Sequence, residues 1–219
     1  KLGKETEQRK KVLSQKKSGE VRLGHIAATL APFLDQFEFD PENCCFMGKP
    51  IDYVSFGDIL DMGENSFSYS TWVKFDTLNV DWAQTIVSKG ADGGTSPSDN
   101  GFKLFVPPNT NYVRAHISSS PSNDADVYTT PLDVDIWYYL TVVIDREVDF
   151  QILYLNGLVQ DSSDISHIAQ INNNCHLHLG NNYWADTGQN AAVLDGKIFG
   201  FSYWDAAISV SYTHLRAHE

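Results

Sequence analysis

The sequence predicts a mainly β protein, built as a two-sheet antiparallel sandwich with an N-terminal helical segment. From residue 58 onward, short alternating apolar runs are separated by clusters of Gly, Asn, Asp, Ser and Pro, which is the pattern of all-β domains. Residues 137–157 contain two runs rich in β-branched and aromatic side chains around a short charged segment, 145–149, which predicts a hairpin. The second run ends in Asn156-Gly157, the strongest two-residue signal for a type I′ turn.

The first of these runs, residues 137–144, is predicted to lie at the centre of a sheet. Both of its alternating faces are apolar, with Thr141 as the exception. A strand with two apolar faces is covered on both sides by other parts of the protein.

Other alternating segments complete the predicted sheets. The remaining strands are predicted at residues 67–75, 85–89, 101–106, 113–118, 127–130, 176–180 and 194–204. The glycine-rich stretch 90–100 and the polar stretch 119–126 are predicted to be loops. Three tryptophans in the strands, Trp72, Trp137 and Trp204, are expected in the core.

The chain divides into three predicted parts. Residues 1–50 form a helical and charged remnant, with helix expected over 1–35. Residues 51–208 form the β domain. Residues 209–219 leave the β pattern and resemble translated sequencing-adapter read-through, so they are excluded from the fold prediction.

The charge distribution restricts the ligands of the β domain. The formal net charge is −12, and it is uneven: residues 1–57 carry nine Lys/Arg and eight Asp/Glu, whereas residues 58–219 carry seven and twenty. An acidic domain is a poor partner for nucleic acid, because phosphate contacts dominate that affinity. A cation or a neutral ligand such as a sugar is compatible with this charge. No apolar run is long enough for a transmembrane helix, so no membrane partner is expected.

The N-terminal part resembles the front of the Holliday-junction-resolvase-like endonucleases. The similar segments are Ser-Gly-Glu-Val-Arg-Leu-Gly-His-Ile-Ala at 18–27, Leu-Ala-Pro-Phe-Leu at 30–34, Phe-Glu-Phe-Asp-Pro at 37–41 and Phe-Met-Gly-Lys-Pro-Ile-Asp-Tyr-Val at 46–54. The resemblance implies a Mg²⁺ ligand at Asp52 and a cytoplasmic location. The Glu-x-Lys that would complete such a site does not follow Asp52. The alternative function is therefore a remnant of a Mg²⁺-dependent, structure-specific DNA endonuclease, expected to be inactive.

The β domain resembles the laminin-G-like, concanavalin A-like jelly roll. The resemblance rests on an ordered set of short segments over residues 51–208: Phe-Ser-Tyr-Ser-Thr-Trp-Val-Lys at 67–74, Ile-Val-Ser-Lys-Gly at 86–90, Gly-Phe-Lys-Leu at 101–104, Trp-Tyr-Tyr-Leu-Thr-Val-Val-Ile-Asp at 137–145, Leu-Tyr-Leu-Asn-Gly at 153–157, Leu-His-Leu-Gly at 177–180 and Leu-Asp-Gly-Lys-Ile at 194–198. It implies a non-catalytic module that binds carbohydrate or a protein or glycan surface, in an extracellular or cell-surface location.

Residues 51–56 fit both resemblances at once, and each family is truncated at this point. Our hypothesis is that two unrelated coding sequences are joined here, which would make the sequence chimeric. A sequencing read across the source locus that showed one uninterrupted gene would refute it.

A structural Ca²⁺ is the metal that the sequence best supports. Laminin-G-like domains commonly bind Ca²⁺, which requires oxygen ligands on loops that bend around the ion. The candidate ligands are Asp92 and Asp99 in the 90–100 loop and Asp195 before the last strand. The alternative is that these aspartates only form turns. His176 and His178 share one strand face and are expected to be a solvent-facing pair.

The candidate carbohydrate site combines aromatic and amide side chains. Tyr183 and Trp184 lie in a loop that begins with Asn181 and Asn182, and Trp82 lies in a polar connection. Aromatic rings cover the apolar faces of sugars, and amides bond their hydroxyls. The alternative is that the two tryptophans cap the core.

A glycosidase would need two carboxylates across a cleft. The Glu-x-Asp-x-x-Glu motif of related glucanases is missing from the sequence, which predicts a protein that is not an enzyme.

Overall fold

The computed structural model describes residues 46–48, 53–90, 100–182 and 192–209. These residues form two six-stranded antiparallel sheets that enclose one hydrophobic core, which confirms the predicted mainly β sandwich. The predicted helix over 1–35 lies outside the described residues. The strands in chain order are β1 (Phe46–Gly48), β2 (Val54–Ser55), β3 (Phe67–Phe75), β4 (Gln84–Gly90), β5 (Gly101–Val106), β6 (Arg114–Ser120), β7 (Asn123–Tyr128), β8 (Trp137–Asp145), β9 (Phe150–Leu155), β10 (Leu158–Asp164), β11 (Leu177–Leu179) and β12 (Gly196–Trp204).

The order of strands in each sheet differs from their order in the chain. The first sheet has the order β1-β12-β3-β8-β9-β10, and the second has β2-β11-β4-β5-β6-β7. The chain therefore crosses between sheets several times, as in a jelly roll. Inward side chains of both sheets, such as Phe67, Tyr69, Phe102 and Leu140, fill the core between them.

The two predicted hairpins are present. β8 pairs with β9, and β9 pairs with β10 through the turn at Asn156 and Gly157. These two residues have φ angles of 50° and 80°, the positive values that a type I′ turn requires. The Asn156 side chain also accepts a hydrogen bond from the Tyr139 backbone N–H at 2.8 Å. The turn between β9 and β10 is thus attached to β8, the strand on the other side of β9.

β8 lies inside the first sheet, between β3 and β9, as predicted. Leu140 and Val142 on its core face are fully buried, and Thr141 and Val143 on its other face are buried as well. The prediction that Trp72 and Trp137 belong to the core is wrong. Trp72 pairs with Tyr139, and Trp137 pairs with Lys74. Both tryptophan side chains point away from the core and are half-buried on the outer face of the sheet. Trp204 is buried.

The prediction of a loop over 119–126 is also wrong. Residues 123–126 belong to β7, which forms a hairpin with β6 at the edge of the second sheet. Ala125 and Val127 point into the core, while Asp124 and Asp126 lie on the outer face. An edge strand tolerates charged residues on its outer face, so its composition is that of a loop.

The prediction that His176 and His178 both face the solvent is wrong. His178 is completely buried, and His176 is half-buried. β11 is flanked by β2 and β4, and the ring of Tyr53 lies 5.6 Å from that of His178. An interior strand with an aromatic ring over it leaves no room for water at His178.

The connections between strands gather at two opposite ends of the sandwich. We call one the Trp82 end, formed by residues 76–83, 107–113, 129–136, 181–182 and 192–195. We call the other the Arg146 end, formed by residues 57–66, 145–149, 165–174 and 205–208. The strand registers define this division, since Gly196 pairs with Phe75 at the first end and Phe67 with Ile144 at the second. In the part of the chain that the structure describes, no helix is long and apolar enough to cross a membrane.

Candidate functional site

Among the described residues of the Trp82 end, Trp82 is the most exposed aromatic side chain, with 42% of its surface accessible. It lies in the connection between β3 and β4. Its indole Nε1 donates a hydrogen bond to the Val193 carbonyl at 3.3 Å. The ring is therefore held by one edge while much of its apolar surface contacts water. Trp82 does not cap the core in the way that the alternative interpretation required.

The connection that carries Trp82 is fixed to its neighbours. The Asn79 backbone N–H donates to the Thr110 carbonyl at 2.9 Å, and the Asn109 N–H donates to the Val80 carbonyl at 2.6 Å. The Gln84 side-chain amide donates to the Thr77 carbonyl at 2.9 Å. These bonds preorganise the connection, which reduces the entropy lost when a ligand contacts it.

Asp195 lies beside this connection. Its carboxylate accepts a hydrogen bond from the Thr77 hydroxyl at 2.7 Å, and its backbone N–H donates to the Gln84 side-chain oxygen at 2.9 Å. Its backbone carbonyl accepts from the Asp76 N–H at 2.9 Å. Asp195 thus joins the start of β12 to the Trp82 connection and places a negative charge at this end.

Asn181 and Asn182 begin the connection that follows β11, at the same end as Trp82. Both are buried, and the Asn181 side-chain oxygen accepts from the Asn182 N–H at 2.9 Å. Among the described residues, the buried Nδ2 of Asn181 has no hydrogen-bond acceptor. Tyr183 and Trp184 lie outside the described residues. The structure therefore brings Trp82, Asn181 and Asn182 to one end, and their role in ligand binding stays a prediction.

Of the three predicted metal ligands, Asp195 alone is among the described residues. Asp92 and Asp99 lie outside the described residues. Asp195 lies at the Trp82 end, beside Gln84. Calcium binding by this set stays a prediction.

One cluster that sequence reasoning missed lies on the outer face of the second sheet. Within the described ranges, His116, Asp124 and Asp126 are the one group of three metal-ligating side chains whose ligand atoms lie within 4.8 Å of one another. Arg114 donates to both oxygens of Asp126 at 2.6 Å, and His116 Nδ1 lies 2.7 Å from the same carboxylate. The guanidinium thus already supplies the positive charge that a cation would bring.

The same contacts set the ionisation of Asp126. Burial acts to raise its pKa, but the hydrogen bonds and charges of His116 and Arg114 outweigh burial and hold the pKa below its ordinary value. The cluster was overlooked because residues 123–126 were expected to be a loop. In the β6–β7 register His116 lies directly opposite Asp126, and Arg114, two residues before His116 on the same face, is the diagonal neighbour of Asp126.

A groove at the Arg146 end is a second feature that the sequence does not predict. Its larger cleft has a volume of about 880 Å³ and is lined by residues of three separate segments. A second cleft of about 390 Å³ shares Glu64 and Arg146 with the first. We call the two contiguous clefts the acidic groove. Its residues are distant in sequence, so no local pattern indicates it.

Residues 48–211 match the concanavalin A-like lectin/glucanases superfamily. The chain belongs to this superfamily. Residues 9–68 match a second family, described as endonuclease related to archaeal Holliday junction resolvase. The two matches overlap over residues 48–68. Asp52, which the second resemblance implies as a metal ligand, lies outside the described residues. The chain matches none of the curated protein sequences.

Solved structures with the same fold include toxin binding domains. The botulinum neurotoxin serotype D binding domain superposes with a TM-score of 0.59 at 12% identity, over 78% of this chain and 42% of that one. The binding domain of Paraclostridial Mosquitocidal Protein 1 gives 0.59 at 15% identity, over 78% and 42%. The binding domain of botulinum neurotoxin DC in complex with SialylT gives 0.52 at 12% identity, over 71% and 35%.

This chain therefore spans less than half the length of these three neighbours. At these identities the likeness establishes the fold alone: a jelly-roll sandwich of the kind found in binding domains. The described residues add no glucanase motif to it.

Proposed function

We propose that the β domain is a non-catalytic module that binds carbohydrate at the Trp82 end, on a glycan or glycoprotein surface. The observation that carries the proposal is the exposed indole of Trp82, held by its Nε1 on a preorganised connection. Aromatic rings stack on the apolar C–H faces of sugars, and burial of the ring supplies most of the binding free energy.

Polar groups around Trp82 support the same function. Asp195 offers carboxylate oxygens to sugar hydroxyls, and the Nδ2 of Asn181, which has no acceptor among the described residues, is a further candidate donor. The excess of acidic residues after residue 57 disfavours nucleic acid. A fold neighbour solved with SialylT gives the proposal further support. An extracellular or cell-surface location belongs to the proposal.

The proposal includes a structural Ca²⁺ ion that is bound by Asp195 together with loop residues. Among the described residues, Asp195 is not part of any group of three clustered metal-ligating side chains. A Ca²⁺ ion at this end therefore needs ligands from elsewhere in the chain. Melting curves with millimolar Ca²⁺ and with a chelator test this part alone, because an ion that binds only the folded state raises the melting temperature.

The function is tested by screening the full chain on a glycan array. Trp82→Ala removes the ring, and Trp82→Phe keeps a ring of smaller area. Phe199→Ala is the matched control, because Phe199 is also 42% exposed but lies on β12, away from the Trp82 connection. The proposal predicts array signals that Trp82→Ala abolishes, Trp82→Phe partly retains and Phe199→Ala leaves unchanged. An array without signal, or signals insensitive to Trp82→Ala, would overturn it.

A further inference from the structure

The acidic groove runs across the Arg146 end, opposite the proposed carbohydrate site. Its larger cleft, of about 880 Å³, falls within the size range of ligand-binding clefts in proteins. Ile59, Leu60 and Met62 form an apolar part of its lining, and each is a partly buried residue packed against the core. The groove therefore combines an apolar floor with the polar groups of its rim.

The rim of the groove is strongly acidic. The larger cleft is lined by five carboxylates and one guanidinium, and the contiguous cleft adds another carboxylate. The acidic residues are Asp61, Glu64, Asp145, Glu147 and Asp205 in the larger cleft and Asp149 in the smaller one. The sole arginine of the described lining is Arg146.

Arg146 is committed to contacts within the protein. Its guanidinium donates to the Ile168 carbonyl at 2.6 Å and to the Ala169 carbonyl at 3.3 Å. Half-burial lowers its pKa, against the opposing effect of Asp149 and Glu64. Arg146 thus holds the wall of the smaller cleft. Asp61 is paired with the buried Lys89 ammonium at 3.3 Å, so the negative charge at the rim comes mainly from exposed carboxylates, namely Glu64, Glu147 and Asp205.

The spread of the carboxylates distinguishes the groove from a metal site. Within the described ranges, no three groove carboxylates bring their oxygens within 4.8 Å of one another. Negative charges distributed along an elongated groove match several separate cations better than one ion. The apolar floor also favours a ligand with aliphatic side chains over a purely polar polyamine.

We propose that the acidic groove docks a lysine- and arginine-rich segment of a partner protein. Exposed carboxylates pair with its cationic side chains, and an aliphatic side chain of the segment packs against Leu60 and Met62. Two contiguous clefts accommodate several residues of an extended peptide. The surface is independent of the Trp82 end, so a glycan and a basic segment bind at opposite ends of the sandwich.

The test is fluorescence anisotropy with the full chain and a labelled synthetic peptide of three Lys-Leu-Lys-Ala repeats. The same peptide with glutamate in place of lysine is the charge control. The groove variant combines Glu64→Gln, Glu147→Gln and Asp205→Asn, all at exposed positions. The control variant combines Asp76→Asn, Asp81→Asn and Asp133→Asn at the Trp82 end, and changes the net charge by the same amount. Melting curves verify that both variants fold.

Each exposed ion pair contributes roughly two- to fivefold to affinity, so the groove variant is expected to bind the lysine peptide at least about tenfold more weakly. The control variant and Trp82→Ala are expected to bind it within about twofold of the parent chain. Equal losses in both triple variants would show non-specific attraction and overturn the proposal. Absence of lysine-peptide binding at low salt, or equal binding of the glutamate peptide, would also overturn it.

Discussion

The buried ammonium group of Lys89 is the contact whose removal we expect to destabilise the fold most clearly. Its side chain is 2% exposed, and Nζ donates to the Asn173 carbonyl at 3.2 Å and the Cys175 carbonyl at 2.6 Å. It also forms ion pairs with Asp58 and, at 3.3 Å, with Asp61. One side chain thus connects β4 to the segment that follows β2 and to the segment that precedes β11, at the Arg146 end.

Lys89→Met keeps most of the aliphatic packing and removes these four contacts. Two carbonyls lose a charged donor, and each buried polar group left unpaired costs about 1–3 kcal/mol. The carboxylates of Asp58 and Asp61 are 41% and 43% exposed and are hydrated after the substitution, so each lost pair adds less than about 1 kcal/mol. The free energy of unfolding is expected to fall by about 3–5 kcal/mol in total.

Urea unfolding followed by tryptophan fluorescence measures this change. Lys197→Met on β12 is the matched control, because Lys197 is half-exposed and its substitution is expected to change the free energy of unfolding by less than about 0.5 kcal/mol. A loss below about 1 kcal/mol for Lys89→Met would refute the reasoning, since it would mean that the buried carbonyls find other donors or that the ion pairs contribute nothing.

Three further predictions concern single positions in the sheets. Gly101 has a φ of 128°, and a Cβ there would lie 1.8 Å from the Lys89 carbonyl oxygen, so Gly101→Ala is expected to lower the melting temperature by many degrees; an unchanged melting curve would contradict this. Asn156→Ala removes the acceptor of the Tyr139 N–H and a residue suited to positive φ, so urea unfolding should show a loss of about 1–2 kcal/mol, and no loss would refute the assigned turn. The folded-state pKa of Asp126 is lowered, so its contribution to stability is present above its unfolded pKa of about 4 and is lost as pH falls through the lower folded value. In urea titrations, the free energy of unfolding of Asp126→Asn should therefore fall less between about pH 6 and pH 3 than that of the parent chain. An equal fall in both would contradict the claim that ionised Asp126 stabilises the fold.

The sheets could be predicted from the sequence wherever local residues decide the structure. The apolar faces of residues 137–144 indicate a strand inside a sheet, and Asn156-Gly157 determines its turn through backbone angles alone. β7 was missed because an edge strand carries charges on its outer face, so its sequence resembles a loop. The prediction for Trp72 is wrong because the alternation along β3 directs this side chain to the outer face of the sheet.

The candidate sites depend on contacts that sequence patterns do not encode. The sequence shows that Trp82 is an aromatic residue in a polar connection. Its exposure depends on hydrogen bonds that only the fold shows, namely the bond from the connection to the Thr110 carbonyl and the bond from Trp82 Nε1 to the Val193 carbonyl. Lys89 lies in an ordinary strand, and its partners lie in two segments that are distant in the sequence. The acidic groove is likewise assembled from segments far apart in the chain, which only the folded topology brings together.

The central claim is that the exposed indole of Trp82 binds a sugar. Isothermal titration of the strongest glycan from the array, with the parent chain, Trp82→Ala and Phe199→Ala, tests it most directly. Loss of a central aromatic contact costs about 2 kcal/mol or more, so Trp82→Ala is predicted to bind roughly thirtyfold more weakly, while Phe199→Ala binds as the parent chain does. Equal affinities of Trp82→Ala and the parent chain would contradict the claim.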